Sequence, residues 1–168
     1  MASMQSFDVT SGCDLQEVDN AVNQALKEIR QRYDFKGTHA DIEFRRADAK
    51  LVLFAPDEFK LKAVWDVLQD KLVRRKVPIK NLKPGKVTPS AGASVTQEIE
   101  LQQGIPSETA REIVKFLKEK KLKRVQSEIQ GDQVRISSPS RDELQNVIAL
   151  IRSRDFGIEL KFGNYRTF

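Results

Sequence analysis

Residues 50–69 read KLVLFAPDEFKLKAVWDVLQ, a strand pattern that gives way to a helix pattern at a single proline. Residues 50–55 are apolar on both faces of an extended chain, which indicates a strand covered on both sides. Pro56 and Asp57 then begin a helix whose apolar residues recur every three or four positions. These residues are Leu61, Val64, Trp65, Leu68 and Leu72. The stretch therefore predicts a central strand followed directly by an amphipathic helix.

The same pattern recurs later in the chain at a fixed spacing. A shift of 83 residues superposes seven apolar or proline positions, among them Leu51 on Val134 and Pro56 on Pro139. Earlier in each half, the first strand and first helix superpose with a shift of 92 residues. Because amphipathic helices match one another easily, the shared order of elements weighs more than the identities. Each half is predicted to have the order βαββαβ.

Two βαββαβ units predict an α+β protein of two ferredoxin-like domains, each a four-stranded antiparallel sheet with both helices on one face. The last strand of each half is expected at residues 77–82 and 158–162. The segment KPGKVTPSAGAS, residues 83–94, collects prolines, glycines and small residues as a linker does. We therefore assign residues 1–88 to the first domain and residues 89–168 to the second.

The net charge and the single cysteine indicate which partners and which cellular compartment to expect. Lysine and arginine exceed the acidic residues to give a net charge of +5 and a pI near 9.3. This excess favours phosphate-bearing partners such as nucleotides and RNA, although it is also common in ordinary soluble domains. Cys13 is the only cysteine, which fits a reducing cytoplasm. No apolar run approaches the roughly 18 residues of a membrane span, so no membrane partner is expected.

The sequence predicts no catalytic residues, no metal site and no cofactor. Cys13 and His39 are the only residues of their types, and no spacing resembles a metal site, a nucleophile elbow or a phosphate-binding loop. The closely spaced carboxylates resemble helix caps, as in SRDE at residues 140–143 and in Asp14 with Glu17 at the start of the first helix. We therefore expect a protein that is not an enzyme and that binds its ligand without changing it.

The first half contains a segment that has no counterpart in the second half. Because the shift falls from 92 to 83, the first half has nine more residues between its first helix and the next strand. RQRYDFKG, residues 30–37, lies in this interval and offers Arg32, Tyr33, Phe35 and Lys36 as candidate ligand-binding residues. Alternatively, the helix is longer, its arginines lie at the negative end of the dipole, its aromatics pack, and Gly37 supplies a left-handed cap.

Two further groups of cations are candidates for phosphate contacts. KFLKEKKLKR, residues 115–124, holds six cations in ten residues, and Lys121, Lys123 and Arg124 are predicted to form a patch with Arg135. The alternative is a solvated helix end. In LKFGNYR, residues 160–166, the candidates are Lys161, Tyr165 and Arg166. Lys161 and Tyr165 are expected on the same face if the strand continues.

The uncovered sheet faces differ between the two halves. RNA-recognition modules stack bases on aromatic residues of the two central strands. The outward positions of the second half are polar and include no aromatic ring, so base stacking is not predicted there. In the first half Phe54 lies beside Val52, and it is either a stacking platform or a residue buried by a neighbouring domain.

Four stretches together recur in a known family. They are SFDV at residues 6–9, RYDFKG at 32–37, KLKRVQSEIQGDQVRISSPSRDELQNVIALI at 121–151 and LKFGNYR at 160–166. In these stretches, and over nearly its entire length, the chain resembles the YajQ family of bacterial nucleotide-binding proteins. The resemblance implies that the first strands are exchanged, so that residues 6–10 join the second sheet and residues 94–102 join the first.

The resemblance also implies a function that composition and spacing do not supply. It implies binding of purine nucleotides, of RNA such as tRNA and, for some members, of cyclic di-GMP, and it transfers no catalytic residue. Two hypotheses remain open. The protein binds a nucleotide or RNA, or it is a ligand-responsive regulatory protein that acts mainly through contacts with a protein partner.

Overall fold

The computed structural model describes residues 3–168, which form eight β-strands and four α-helices. The strands are β1 Gln5–Thr10, β2 Asp41–Arg45, β3 Lys50–Ala55, β4 Leu82–Pro89, β5 Val95–Leu101, β6 Gln126–Gln130, β7 Gln133–Ser138 and β8 Lys161–Thr167. The helices are α1 Leu15–Gln31, α2 Glu58–Arg74, α3 Ser107–Glu119 and α4 Arg141–Arg152. The predicted α+β class and the order βαββαβ in each half are confirmed.

The strands form two four-stranded antiparallel sheets in two compact units. Unit 1 comprises the chain up to Gly12 and from Gly104 to Phe168, and its sheet has the order β6-β7-β1-β8. Unit 2 runs from Cys13 to Gln103, and its sheet has the order β2-β3-β5-β4. The central strand β1 pairs with β7 and β8, whereas β5 pairs with β3 and β4. Each sheet thus takes one central strand from the opposite half of the sequence.

The predicted linker is wrong, because residues 83–94 contain most of β4. This strand runs from Leu82 to Pro89 and pairs only with β5. An edge strand tolerates proline, since the side of the strand without a partner needs no N–H donor. Residues 79–81, expected within a strand, form a 3₁₀ turn instead.

Each unit has its own apolar core, which lies between the sheet and the two helices of that unit. In unit 1, Phe7 and Val9 of β1 are fully buried against Ile113 of α3 and other apolar residues. In unit 2, Ile99 of β5 is fully buried in the second core. The exchanged strands therefore supply core residues as well as hydrogen bonds, and their burial stabilises each unit through the hydrophobic effect.

Side chains at the helix starts satisfy backbone N–H groups, as the sequence predicts. The Asp14 carboxylate accepts hydrogen bonds from the backbone of Gln16 and Glu17 at the start of α1. The Ser140 hydroxyl accepts one from Glu143 in α4. Such caps satisfy donors that a helix cannot pair by itself. Within residues 3–168, no helix has both the length and the apolarity needed to cross a membrane.

A division of the chain at residue 88 is predicted to prevent folding. A fragment of residues 1–88 lacks β5, which separates β3 from β4, and it lacks both partners of β1. We expect it to aggregate or to melt without a cooperative transition, because it exposes unpaired strand edges. A fragment of residues 13–103 contains every strand of the unit 2 sheet and is expected to melt cooperatively. Circular dichroism melts of both fragments test this, and a cooperative transition in the 1–88 fragment would contradict it.

Candidate functional site

The extra residues of the first half lengthen a helix and add a turn. Helix α1 has 17 residues, whereas its counterpart α3 has 13. A 3₁₀ turn, Tyr33–Phe35, follows α1 directly. Phe35 is only 4% exposed and packs in the unit 2 core. The packing alternative is therefore correct for Phe35, and this ring is not available to stack on a ligand.

Two other aromatic rings in this region face solvent. Tyr33 is 88% exposed, and Phe59 in the first turn of α2 is 79% exposed. Lys60 links the two segments, because its ammonium donates to the backbone carbonyl of Asp34 and lies 6.0 Å from the Phe59 ring centroid. The same ammonium lies 5.5 Å from the ring of Phe35. We call the group formed by Arg32, Tyr33, Lys36, Phe59 and Lys60 the aromatic surface.

The cations of this surface differ in how far they are neutralised. Arg32 donates two hydrogen bonds to the Asp34 carboxylate, at 3.0 Å and 2.7 Å, and it also lies 3.7 Å from Glu28. The hydrogen bond from Arg32 lowers the pKa of the Asp34 carboxyl. By contrast, Lys36 is exposed and forms no ion pair within residues 3–168. Lys36 and Lys60 are therefore the cations best placed to meet a phosphate.

A depression of about 480 Å³ lies on the face of the unit 2 sheet that carries Phe54. Val52 and the half-buried Phe54 belong to its lining, with Arg45 and Lys86 among the polar residues. The register between β4 and β5 shifts between Pro84 and Val87, and this bulge contains Gly85. The depression makes Phe54 a further partly accessible ring in unit 2, in addition to Tyr33 and Phe59.

Arg135, a sequence-predicted phosphate ligand, is paired with a carboxylate within unit 1. Its guanidinium donates to Asp8 at 2.9 Å, and the Asn164 amide donates to the same carboxylate at 2.6 Å. Asp8 is only 3% exposed. The hydrogen bond from Arg135 lowers the pKa of Asp8 below the ordinary value of 3.8. Arg135 therefore already has an anionic partner within unit 1.

The expectation that Lys161 and Tyr165 share a face is wrong, because β8 contains a bulge. Lys161 pairs with Thr10, but the register shifts before Arg166 pairs with Ser6. A bulge reverses the alternation of side chains beyond it. Lys161 therefore lies on the face opposite to that of Phe7. Tyr165 lies on the Phe7 face, with the two ring centroids 6.0 Å apart.

The end of α3 gathers exposed cations, including one that the sequence did not indicate. Lys121, Lys123 and Arg124 are exposed in the turn that precedes β6, where Arg124 adopts a φ of +62°. Arg154, from beyond α4, lies 5.4 Å from the Phe116 ring centroid, and Lys120 lies 5.0 Å from it. Only tertiary structure brings Arg154 to this cluster.

Replacing Asp8 by asparagine is predicted to reduce stability in a pH-dependent way. A carboxyl whose pKa is lower in the folded state stabilises the fold above the unfolded pKa, and this stabilisation is lost as the pH falls through the folded pKa. We expect Asp8→Asn to lower the free energy of unfolding at pH 7 by on the order of 2 kcal/mol. The difference from wild type should shrink below the unfolded value of 3.8.

Urea denaturation across this pH range measures the effect, with Asp66→Asn on the exposed face of α2 as the control. A loss from Asp8→Asn that is the same at every pH would contradict the role assigned to the Asp8 charge.

Comparison with known proteins places the chain in a family. The family model described as "Nucleotide-binding protein YajQ-like" matches residues 5–166. A nucleotide-binding protein of Solibacter usitatus is 56% identical over 96% of this chain and 97% of its own length. A nucleotide-binding protein of Desulfitobacterium hafniense is 51% identical over 99% of this chain and its own full length. With a match over nearly its whole length and relatives that share about half of its residues, the chain belongs to the YajQ-like family.

Proposed function

We propose that this protein binds a purine nucleotide or RNA without changing it chemically, and that the aromatic surface contacts the base. The observation that carries the proposal is the exposure of Tyr33 and Phe59, at 88% and 79%, in two segments joined by Lys60. The names of the relatives, which describe nucleotide-binding proteins, support the same class of ligand.

The chemistry of the aromatic surface suits a base that carries phosphate. Every nucleobase has a π-face, so an exposed Tyr33 or Phe59 ring can stack on it without a strict sequence preference. The ammonium groups of Lys36 and Lys60 supply positive charge for the phosphate. Neither Tyr33 nor Phe59 belongs to the unit 2 core, so the fold does not account for their presence at the surface.

Unit 1 carries exposed candidates of its own for contacts with a polynucleotide. They are the cations Lys121, Lys123, Arg124, Lys161 and Arg166, and the ring of Tyr165. These cations are part of the net charge of +5, which favours the long-range attraction of a polyanion. RNA, including tRNA, is therefore a ligand to test beside mononucleotides and cyclic di-GMP. We place this binding in the cytoplasm, a setting supported by Cys13 as the single cysteine of the sequence.

Loss of either exposed ring is predicted to weaken binding without weakening the fold. We expect Tyr33→Ala and Phe59→Ala each to reduce the affinity for a nucleotide or RNA by about 1 to 3 kcal/mol, with an unchanged melting temperature. Phe35→Leu should instead lower the melting temperature, because this ring is buried. Isothermal titration calorimetry with GTP, ATP, cyclic di-GMP and tRNA, together with thermal melts, measures both effects.

Phe168→Ala is the matched control, since Phe168 is also an exposed ring but lies in unit 1. Unaltered affinity in both Tyr33→Ala and Phe59→Ala would remove the aromatic surface from the proposal. In that case, a reduced affinity of Phe54→Leu would indicate that the base occupies the depression on the unit 2 sheet instead.

The cations near the end of α3 are predicted to act through charge alone. Lys123→Ala and Arg124→Ala should weaken binding of a single-stranded RNA regardless of its sequence. Each should reduce the slope of log affinity against log salt by about 0.7 to 1 per lost phosphate contact. Glu119→Gln, at the last residue of α3, is the control and should not reduce the slope. RNA binding that is immeasurable at low salt for the wild type would reject the RNA part of the proposal.

A further inference from the structure

One of the four sheet edges is left unprotected. The edge strands are β6 and β8 in unit 1 and β2 and β4 in unit 2. β2 presents outward charges along its length, β4 contains prolines and a bulge, and β8 contains a bulge. These features are known to prevent an edge from pairing with another chain. In contrast, β6 has the sequence QSEIQ, with no proline, lysine, arginine or bulge, and it pairs regularly with β7 over five residues.

The register of β6 shows which backbone groups face outward. Gly131 and Asp132 form a two-residue turn, so Gln130 and Gln133 are the hydrogen-bonded pair that closes the hairpin. Hydrogen-bonded and non-hydrogen-bonded pairs alternate along an antiparallel ladder. The N–H and C=O groups of Ser127 and Ile129 therefore point away from β7, toward the free edge.

A groove of about 210 Å³ lies beside this edge, at the end of α3. Its lining combines the apolar side chains of Leu117, Leu122 and Val125 with the cations Lys118 and Lys121, and it includes Ser127. Ser127 and Ile129 pair with the buried residues Ile136 and Val134, so both lie on the helix-covered face, where the groove opens. Ile129 is 42% exposed there.

We propose that β6 binds an extended peptide segment of a protein partner as an antiparallel fifth strand of the unit 1 sheet. The peptide backbone pairs with the outward groups of Ser127 and Ile129, a common mode of peptide recognition. Its residues opposite these two face the groove, where apolar side chains pack on Leu117 and Leu122 and carboxylates meet the lysines. Its alternate residues are polar and carry no carboxylate, because a negative charge there would be repelled by Glu128 on the other face.

An acidic and apolar peptide fits this edge better than a second copy of the chain. Antiparallel pairing of β6 with another β6, with Ser127 of each copy opposite Ile129 of the other, would set the two Glu128 carboxylates opposite each other and would offer no carboxylate to Lys118 and Lys121. Like charges in that arrangement repel, whereas an acidic segment is attracted. RNA would match the lysines but has no backbone that forms a β-ladder with Ser127 and Ile129. The proposal is independent of nucleotide binding at the aromatic surface.

The test uses a fluorescent seven-residue peptide with the sequence Thr-Asp-Thr-Leu-Thr-Asp-Thr. In antiparallel pairing, the aspartate and leucine N–H groups face β6 and the threonine N–H groups face away. N-methylation of the leucine and aspartate nitrogens should weaken binding to the full-length protein about tenfold or more, measured by fluorescence anisotropy. N-methylation of the threonine nitrogens should change it less than about twofold. Equal effects of the two modifications would overturn the proposal, as would no binding of the unmodified peptide.

Variants of the protein locate the contact. Ser127→Pro removes an outward N–H without removing a bond to β7, and it should weaken binding about tenfold, whereas Ser127→Ala should not. Lys118→Glu with Lys121→Glu should weaken binding by at least as much. Slower hydrogen exchange at the Ile129 amide on peptide addition would support strand pairing. A dimer in size-exclusion chromatography that Ser127→Pro abolishes would overturn the proposal in favour of a second copy, and thermal melts establish that each variant folds.

Discussion

Each of the two sheets depends on an inner strand that the repeat assigns to the opposite half of the sequence. A four-stranded antiparallel sheet loses its continuity when an inner strand is missing, because the neighbours of that strand are left with unpaired edges. In unit 1 the inner strand β1 precedes the other three strands by more than a hundred residues, and in unit 2 the inner strand β5 follows the other three. Since Phe7, Val9 and Ile99 on these strands are fully buried, the same exchange also completes both cores.

Sequence periodicity predicted the strands and helices whose apolar residues recur at regular spacing. The strand and helix at residues 50–69, their repetition in the second half and the caps at Asp14 and Ser140 all follow from local rules. Periodicity failed at β4, because proline and glycine resemble a loop unless the strand is known to lie at an edge. It failed again at Tyr165, because a bulge between paired strands reverses the facing of the side chains beyond it. Gly163 and Asn164, which lie where the register shifts, are a signal of a bulge but do not by themselves establish one.

The candidate sites show why composition alone does not identify ligand contacts. Arg32 and Arg135 were natural candidates, but each donates to a nearby carboxylate, Asp34 and Asp8 respectively. A cation that already has an anionic partner attracts phosphate less than one without it. The residues that sequence reasoning missed, Phe59 and Lys60, belong to the aromatic surface only because Lys60, at the start of α2, donates to the carbonyl of Asp34 in the turn after α1. That proximity is tertiary, and no spacing along the chain indicates it.

The position of β1 also sets the order of events during synthesis of the chain. All strands of unit 2 are available once Gln103 has left the ribosome, so this unit can form while the rest of the chain is being made. Unit 1 cannot, because the partners of β1 are β7 and β8, the last two strands to be translated. The apolar side chains of Phe7 and Val9 therefore emerge first and are covered last. A chain that has emerged from the ribosome beyond Gln103 but not yet to β7 would present a finished unit 2 preceded by an uncovered apolar strand, a natural substrate for chaperones.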